Sequence, residues 1–271
     1  MKQTYTKNDH TFVVCAYKES AHLYECIDSL MNQTERGKIM IATSTPSDFL
    51  QNAAAKYGIE LRVNSAPPSI SGDWNFALRQ ATSPLVTLAH QDDVYAPDYL
   101  ETCLRRLNRA TNPIIFFSHY GELRNGERCY NNKLLGVKKL MLKPLKAFPR
   151  SKFIRRRVLS MGNPICCPAV TYVRSSGKSD KSGEFPEFTN EFKTSLDWCQ
   201  WELLSQRKGS FVYCETQLMF HRIHEESETT KTIGESVRSK EDFEMFKKFW
   251  PTWIAKRLLK FYSASEDSNK L

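Results

Sequence analysis

Short apolar runs of strand character alternate with helical patterns through the first 117 residues, and few folds accommodate that alternation. Residues 11–16, 39–42, 59–63, 85–89 and 114–117 are rich in β-branched, aromatic and other apolar side chains, as strands are. Between the first two, Leu23, Ile27, Leu30 and Met31 recur at helical spacing behind a capping Ser20. An Ala-rich stretch from Asp48 to Tyr57 is closed by Gly58, the residue best suited to a left-handed helix end. Residues 74–81 and the stripe Leu100, Cys103, Leu104, Leu107 supply two more helices. Repeated β-α-β units predict an α/β fold, a mostly parallel sheet flanked by helices.

Beyond residue 125 the pattern weakens. Residues 133–157 are basic and punctuated by proline, and are expected to form a loop with short helices. Residues 175–181 read as a surface loop, 196–204 as a helix and 211–214 as a strand. Residues 241–262 read as a helix pair broken at Trp250-Pro251, followed by a frayed end. No GxGxxG follows the first strand and no GxxxxGK[ST] occurs, so neither a dinucleotide loop nor a P-loop is indicated.

The net charge of +9 is unevenly spread. From Arg128 to Ser179 there are thirteen Lys or Arg and no acidic residue. An anionic partner is expected there: a nucleotide, a pyrophosphate-linked acceptor, a phospholipid surface or nucleic acid. A merely solvated basic face would look the same. No run approaches the ~18 apolar residues of a membrane span, and the polar first ten residues do not resemble a secretion signal. A cytoplasmic protein is therefore expected, and the eight cysteines do not argue otherwise: they include no C-x-x-C, which argues against zinc or redox chemistry.

His90-Gln91-Asp92-Asp93 directly follows the fourth strand and precedes a helix start at Ala96-Pro97-Asp98. Ligands of α/β sheets bind beyond the carboxyl ends of strands. Neighbouring carboxylates are hard oxygen ligands that suit Mg²⁺ or Mn²⁺. Alone, the pair would serve equally well to solvate a turn.

Taken in order with other segments, these residues resemble bacterial family-two inverting glycosyltransferases of the GT-A fold, of the surface-glycan type. The likeness is carried first by Phe12-Val13-Val14-Cys15-Ala16-Tyr17-Lys18-Glu19-Ser20 and the helix after it. Gly72-Asp73-Trp74-Asn75-Phe76-Ala77-Leu78 and His90-Gln91-Asp92-Asp93 resemble the family's middle motif and DxD site. Ser195-Leu196-Asp197-Trp198 and His221-Arg222-Ile223-His224-Glu225-Glu226-Ser227 resemble its acceptor-side aspartate and closing histidine segment. The resemblance implies a GT-A domain over residues 1–235, with a nucleotide-sugar half to about 125 and an acceptor half from 126. A C-terminal helical extension would occupy residues 236–271.

The implied activity is metal-dependent transfer of a sugar from a nucleoside diphosphate sugar to a glycan or lipid-linked anionic acceptor, in surface polysaccharide biosynthesis. Mn²⁺ or Mg²⁺ would be the cofactor. Asp92 matches the family's metal aspartate, Asp93 would support it or bind directly, and His224 would reach the metal or diphosphate. Ala16, Tyr17, Glu19, Ser44, Asp73, Asn75, His90 and Gln91 join Asp92 as residues expected around the donor. Asp197 matches the general base that takes the acceptor's proton, although its place at a helix start would also suit an N-cap. His221, on a strand-like stretch three residues before His224, would face the other way and is expected to be structural.

Two positions depart from the family. His90 stands where the first aspartate is usual, and Thr43-Ser44-Thr45-Pro46-Ser47 replaces an Asp-Asp-Gly-Ser-type turn that reads the base. The basic segment, with Arg155-Arg156-Arg157, is expected to hold an anionic acceptor or dock at an anionic membrane face. A nucleotidyltransferase is the first alternative, but Ala16-Tyr17-Lys18-Glu19-Ser20 lacks the Gly-rich loop it would want. A basic nucleic-acid-binding protein is the second. No nucleic-acid module is recognised, so no such partner is expected.

Overall fold

The computed structural model describes residues 4–174, 185–223 and 235–267. The first half contains β1 (His10–Ala16), α1 (Leu23–Met31), β2 (Lys38–Thr43), α2 (Asp48–Tyr57), β3 (Glu60–Val63) and α3 (Ile70–Gln80). Next come β4 (Leu85–His90), β5 (Val94–Tyr95), α4 (Tyr99–Arg109), β6 (Pro113–Arg124) and β7 (Glu127–Cys129). Three helices follow, α5 (Lys133–Leu142), α6 (Pro144–Ala147) and α7 (Lys152–Leu159), then β8 (Val170–Val173), α8 (Leu196–Ser205) and β9 (Ser210–Ile223). The described chain ends with α9 (Glu235–Lys247) and α10 (Thr252–Asp267). The surface loop expected at 175–181 lies outside the described residues.

One sheet joins all nine strands in the order β3-β2-β1-β4-β8-β6-β9-β5, with β7 hairpinned onto β6. The expected β-α-β repeat gives the parallel block β3-β2-β1-β4. Past β4 the sheet is mixed: β8 runs antiparallel to β4 and β6, while β6 and β9 are parallel. The chain moves outward from β1 to β2 and β3, then returns across β1 to β4. That reversal is a topological switch point, where a crevice opens beyond the strand ends. Cys15 of β1 stands level with both Ala42 and His90, so the three parallel strands end together.

Local chemistry explains the boundaries. Ser47 Oγ accepts the Leu50 N–H, and Gly58 closes α2 at φ 63°, as the sequence indicates. Ser69 accepts the Gly72 N–H and starts α3 at Ile70, one turn earlier than expected. Asn125 and Gly126, at φ 49° and 82°, make the tight turn from β6 to β7. Strands β6 and β9 run 12 and 14 residues, well past the apolar runs that mark them, because buried polar Ser118, His119, Glu122 and Arg222 continue them.

Alternate strand residues feed two cores, as a pleat requires. Phe12, Val14 and Phe116 pack with Ile27, Leu50 and Tyr99 on one face. Val13, Ile115 and Phe117 pack with Ala77, Trp198 and Trp201 on the other. Met245, Phe246 and Ala255 belong to this second core, so α9 and α10 share it. Among the described residues no helix is long and apolar enough to cross a membrane.

The basic segment corrects two expectations. Residues 133–157 are helical for most of their length, because the punctuating residues start helices instead of breaking them. Asn132 and Ser151 cap α5 and α7, and Pro144 opens α6. The arginine triplet is also not a common external patch. Successive helical side chains turn by about 100°, so three in a row cannot face one way. Arg155 is fully buried and donates to the Gly209 and Arg207 carbonyls at 3.1 and 2.9 Å. Arg156 pairs with Glu202 of α8. Arg157 alone stays exposed.

Candidate active site

The turn after β4 is held from three sides. Asp93 is fully buried, and its Oδ1 accepts from the Arg222 N–H and from His221 Nδ1, each at 2.9 Å. Arg222 Nε donates to the Asp92 carbonyl at 2.8 Å, and its guanidinium pairs with Glu25 of α1. One arginine therefore ties α1, the turn and β9 together. Sequence reasoning gave Arg222 and Glu25 no part. The position of Arg222 within the closing segment was the available signal; Glu25 offered none.

His90, Asp92 and Asp93 present ligand atoms within 4.8 Å of one another. Asp93 Oδ2 and His90 Nε2 are buried without a hydrogen-bond partner, an arrangement that is costly unless something else pairs the atoms. A divalent cation would satisfy that carboxylate oxygen, and two carboxylates suit Mg²⁺ or Mn²⁺. The site thus fits the metal the sequence suggests. His224 lies outside the described residues.

The two histidines differ in charge. Burial lowers the proton affinity of His90, against the opposing pull of Asp93, Asp92 and Asp197. Its ring stacks on Trp74, with centroids 5.2 Å apart. For His221, burial also acts downward, but the bonded Asp93 prevails and the pKa is pushed up to about 9. His221 is therefore a cationic brace for Asp93.

The donor-side residues fall into two groups. At the mouth of β1, the Gln91 amide bonds both the N–H and C=O of Tyr17, at 3.3 and 2.9 Å. Lys18 takes φ 57° and donates its N–H to Thr45 Oγ1 at 2.6 Å, a left-handed turn that is uncommon outside glycine. Ala16 is buried at the strand end, Tyr17 is half-buried and Glu19 is exposed on the loop. At the mouth of β2 and β3, Asp73 accepts from Ser44 Oγ at 2.7 Å and from Asn64 Nδ2 at 2.8 Å. Asn64 was not singled out in the sequence. Asn75 binds the backbone of Phe188 through both amide atoms, at 2.9 and 2.7 Å. Gln91 and Asn75 thus shape the crevice by holding backbone.

Asp197 lies in the first turn of α8, where burial raises its pKa. Asn163 Nδ2 donates to its Oδ2 at 2.8 Å and the Trp198 N–H to its Oδ1 at 2.7 Å. These bonds, together with the charges of Arg238 and Lys138, partly offset the burial. Asp197 is not the N-cap: that position belongs to Ser195. The incoming N–H groups of Lys193, Thr194 and Ser195 are taken instead by Glu241 of α9. Glu241 thus holds the chain entering α8, while Asp197 takes one first-turn N–H, that of Trp198, through Oδ1. Its negative charge adds a small upward pull on the pKa of His90.

The family model described as Glycosyl transferase family 2 matches residues 11–177, more than half of the chain. No curated protein matches. Among solved structures, TarS 1–349 of S. aureus in complex with UDP-GlcNAc is 14% identical with a TM-score of 0.59, over 92% of this chain and 70% of that one. The mannosyltransferase PcManGT from Pyrobaculum calidifontis, in complex with GDP-Man and Mn²⁺, is 13% identical with a TM-score of 0.59, over 94% and 70%. At such identity the likeness is one of fold. Against the longer TarS chain the match spans 42% of that protein.

Proposed function

Because the chain belongs to glycosyl transferase family 2, we propose that it is a metal-dependent inverting enzyme. It moves one sugar from a nucleoside diphosphate sugar to a glycan or lipid-linked acceptor in surface polysaccharide synthesis. The carrying observation is a buried carboxylate oxygen on Asp93 that no hydrogen bond satisfies, in a cluster where His90, Asp92 and Asp93 present ligand atoms within 4.8 Å of one another.

Asp92 and Asp93 would hold Mn²⁺ or Mg²⁺, which supplies Lewis-acid stabilisation of the departing diphosphate. Solved neighbours with bound UDP-GlcNAc, and with GDP-Man and Mn²⁺, support this donor class. Ser44 and Asp73, joined by a hydrogen bond, form the base end of the donor site. Tyr17, fixed by Gln91, lines the path to the diphosphate. Asp197 accepts the proton of the acceptor hydroxyl as that oxygen bonds to the anomeric carbon and the bond to diphosphate breaks. A raised pKa makes it a stronger base than an ordinary carboxylate.

Under this reading residues 1–235 carry the transfer chemistry, with the donor held before about 125 and the acceptor after it. All eight thiols are free, which supports a reducing, cytoplasmic setting. Titration calorimetry of UDP-, GDP- and dTDP-sugars with and without Mn²⁺ tests the proposal. One donor is expected to bind in a Mn²⁺-dependent way, and the absence of any such donor sinks it.

A further inference from the structure

The turn after α7 meets α10 at a tight contact. Gly162, just beyond α7, lies so near the Tyr262 ring that an added Cβ would fall 2.6 Å from it. The Asn163 N–H points to the Tyr262 hydroxyl at 3.4 Å. Outward from this contact, Phe153, Arg157 and Met161 follow one another at i, i+4 and i+8, and Phe153 and Met161 are 65% and 51% exposed. On α10, Trp253, Lys256, Arg257, Lys260 and Phe261 share one exposed face by helical spacing. Trp253 and Phe261 are 62% and 77% exposed.

Cations and rings interleave across this face. The Arg157 guanidinium lies over Phe153 and Trp250, 5.3 and 4.9 Å from their centroids, and Arg257 over Trp253 at 5.9 Å. Residues 143–163 and 251–262 contain no acid. Among the described residues no ion pair involves Lys152, Arg157, Lys256, Arg257 or Lys260.

We propose that this face docks on an anionic lipid bilayer. Phe153, Met161, Trp253 and Phe261 enter the headgroup boundary, and the flanking Lys and Arg pair with lipid phosphates. Surface-lying helices have this composition, and tryptophan favours headgroup depth. A phosphate-rich polymer would engage the cations and leave the rings in water. A second copy of the chain would bring like charges together. Asn163, whose N–H reaches the Tyr262 hydroxyl, also donates from its side chain to Asp197, so α10 and Asp197 are joined through one residue. The inference does not rest on the glycosyl-transfer reading.

Co-sedimentation of the full chain with phosphatidylcholine vesicles, with and without phosphatidylglycerol, tests it. Binding is expected only to the anionic vesicles, weakening as salt rises. Joint Lys256→Gln, Arg257→Gln and Lys260→Gln should reduce it roughly a hundredfold. Joint Trp253→Ser and Phe261→Ser should reduce it by about tenfold or more. These positions are exposed, so an unchanged melting temperature and unchanged donor binding confirm an intact fold. No binding to anionic vesicles, or binding that survives both sets of changes, overturns the proposal. So does soluble polyphosphate binding that ignores the ring changes, or a dimer in sedimentation velocity that the ring changes abolish.

Discussion

The rings of Trp74 and His90 lie one on the other, with centroids 5.2 Å apart and planes inclined by 26°. A histidine in place of an aspartate is thus held by stacking and burial, not by charge. Trp74→Ala should remove a contact of roughly 0.5–1.5 kcal/mol beyond its buried area, loosen His90 and weaken donor binding several-fold. Calorimetry beside thermal unfolding checks this. A variant that melts earlier but binds donor normally would show that the stack serves the fold alone.

Asp92 and Asp93 are expected to part company on mutation. Asp92→Asn should abolish Mn²⁺-dependent donor binding and leave the melting temperature nearly unchanged. Asp93→Ala leaves His221 and the Arg222 N–H without their acceptor, and removing one member of a buried pair costs about 3–5 kcal/mol. Urea unfolding of both variants, read with metal titration, separates the loss of a metal ligand, expected in both, from the loss of the brace, expected for Asp93 alone.

Asp197→Asn should lower kcat by roughly 10²–10⁴-fold, as loss of a general base does, with little change in donor affinity. Near-normal turnover would remove Asp197 from the chemistry.

The pH profile should carry the same signature. Burial raises the pKa of Asp197, and only the ionised form can accept a proton. Activity should therefore fall on the acid side at a pH above the usual carboxylate range. Asn163→Ala removes a hydrogen bond that lowers this pKa, so the acid limb should move to still higher pH. Stability has the opposite sign. Between the unfolded and folded pKa values the native state binds more protons, so this group's contribution declines as pH rises through that window. An acid limb that stays put in Asn163→Ala contradicts the assignment.

Arg155→Ala should destabilise the fold by about 3 kcal/mol, since two half-buried carbonyls lose a charged donor. Arg157→Ala should barely move stability. Equal melting temperatures for the two would contradict their opposite placement.

The parallel half was legible because each of its elements is announced locally. Strand residues alternate between two cores, Gly58 ends a helix, and the strand before His90 is apolar but for Thr87. Strands β6 and β9 read only as short cores, because polar residues continue them: Glu122 is paired with Arg124 and Asn132, and Arg222 with Asp93 and Glu25 far back along the chain. Asp92, Asp93 and Asp197 stood out as carboxylates at element ends. Gln91 and Asn75 read as ligands because sequence shows that an amide is present, not that a backbone already occupies it. Arg222, Asn163 and Glu241 act on residues more than thirty positions away, and no local pattern reports such pairs.

The bonds that close on Asp93 come from residues 128 and 129 positions downstream. During synthesis, the parallel block can form while the chain that will become β9 has yet to be made. Contacts of such long range form late, so the β4 turn lacks its brace until His221 and Arg222 have emerged. An unfinished chain on the ribosome therefore carries Asp93 without the two donors that fix it, and the turn becomes rigid only when β9, the last strand of the described residues, has joined the sheet.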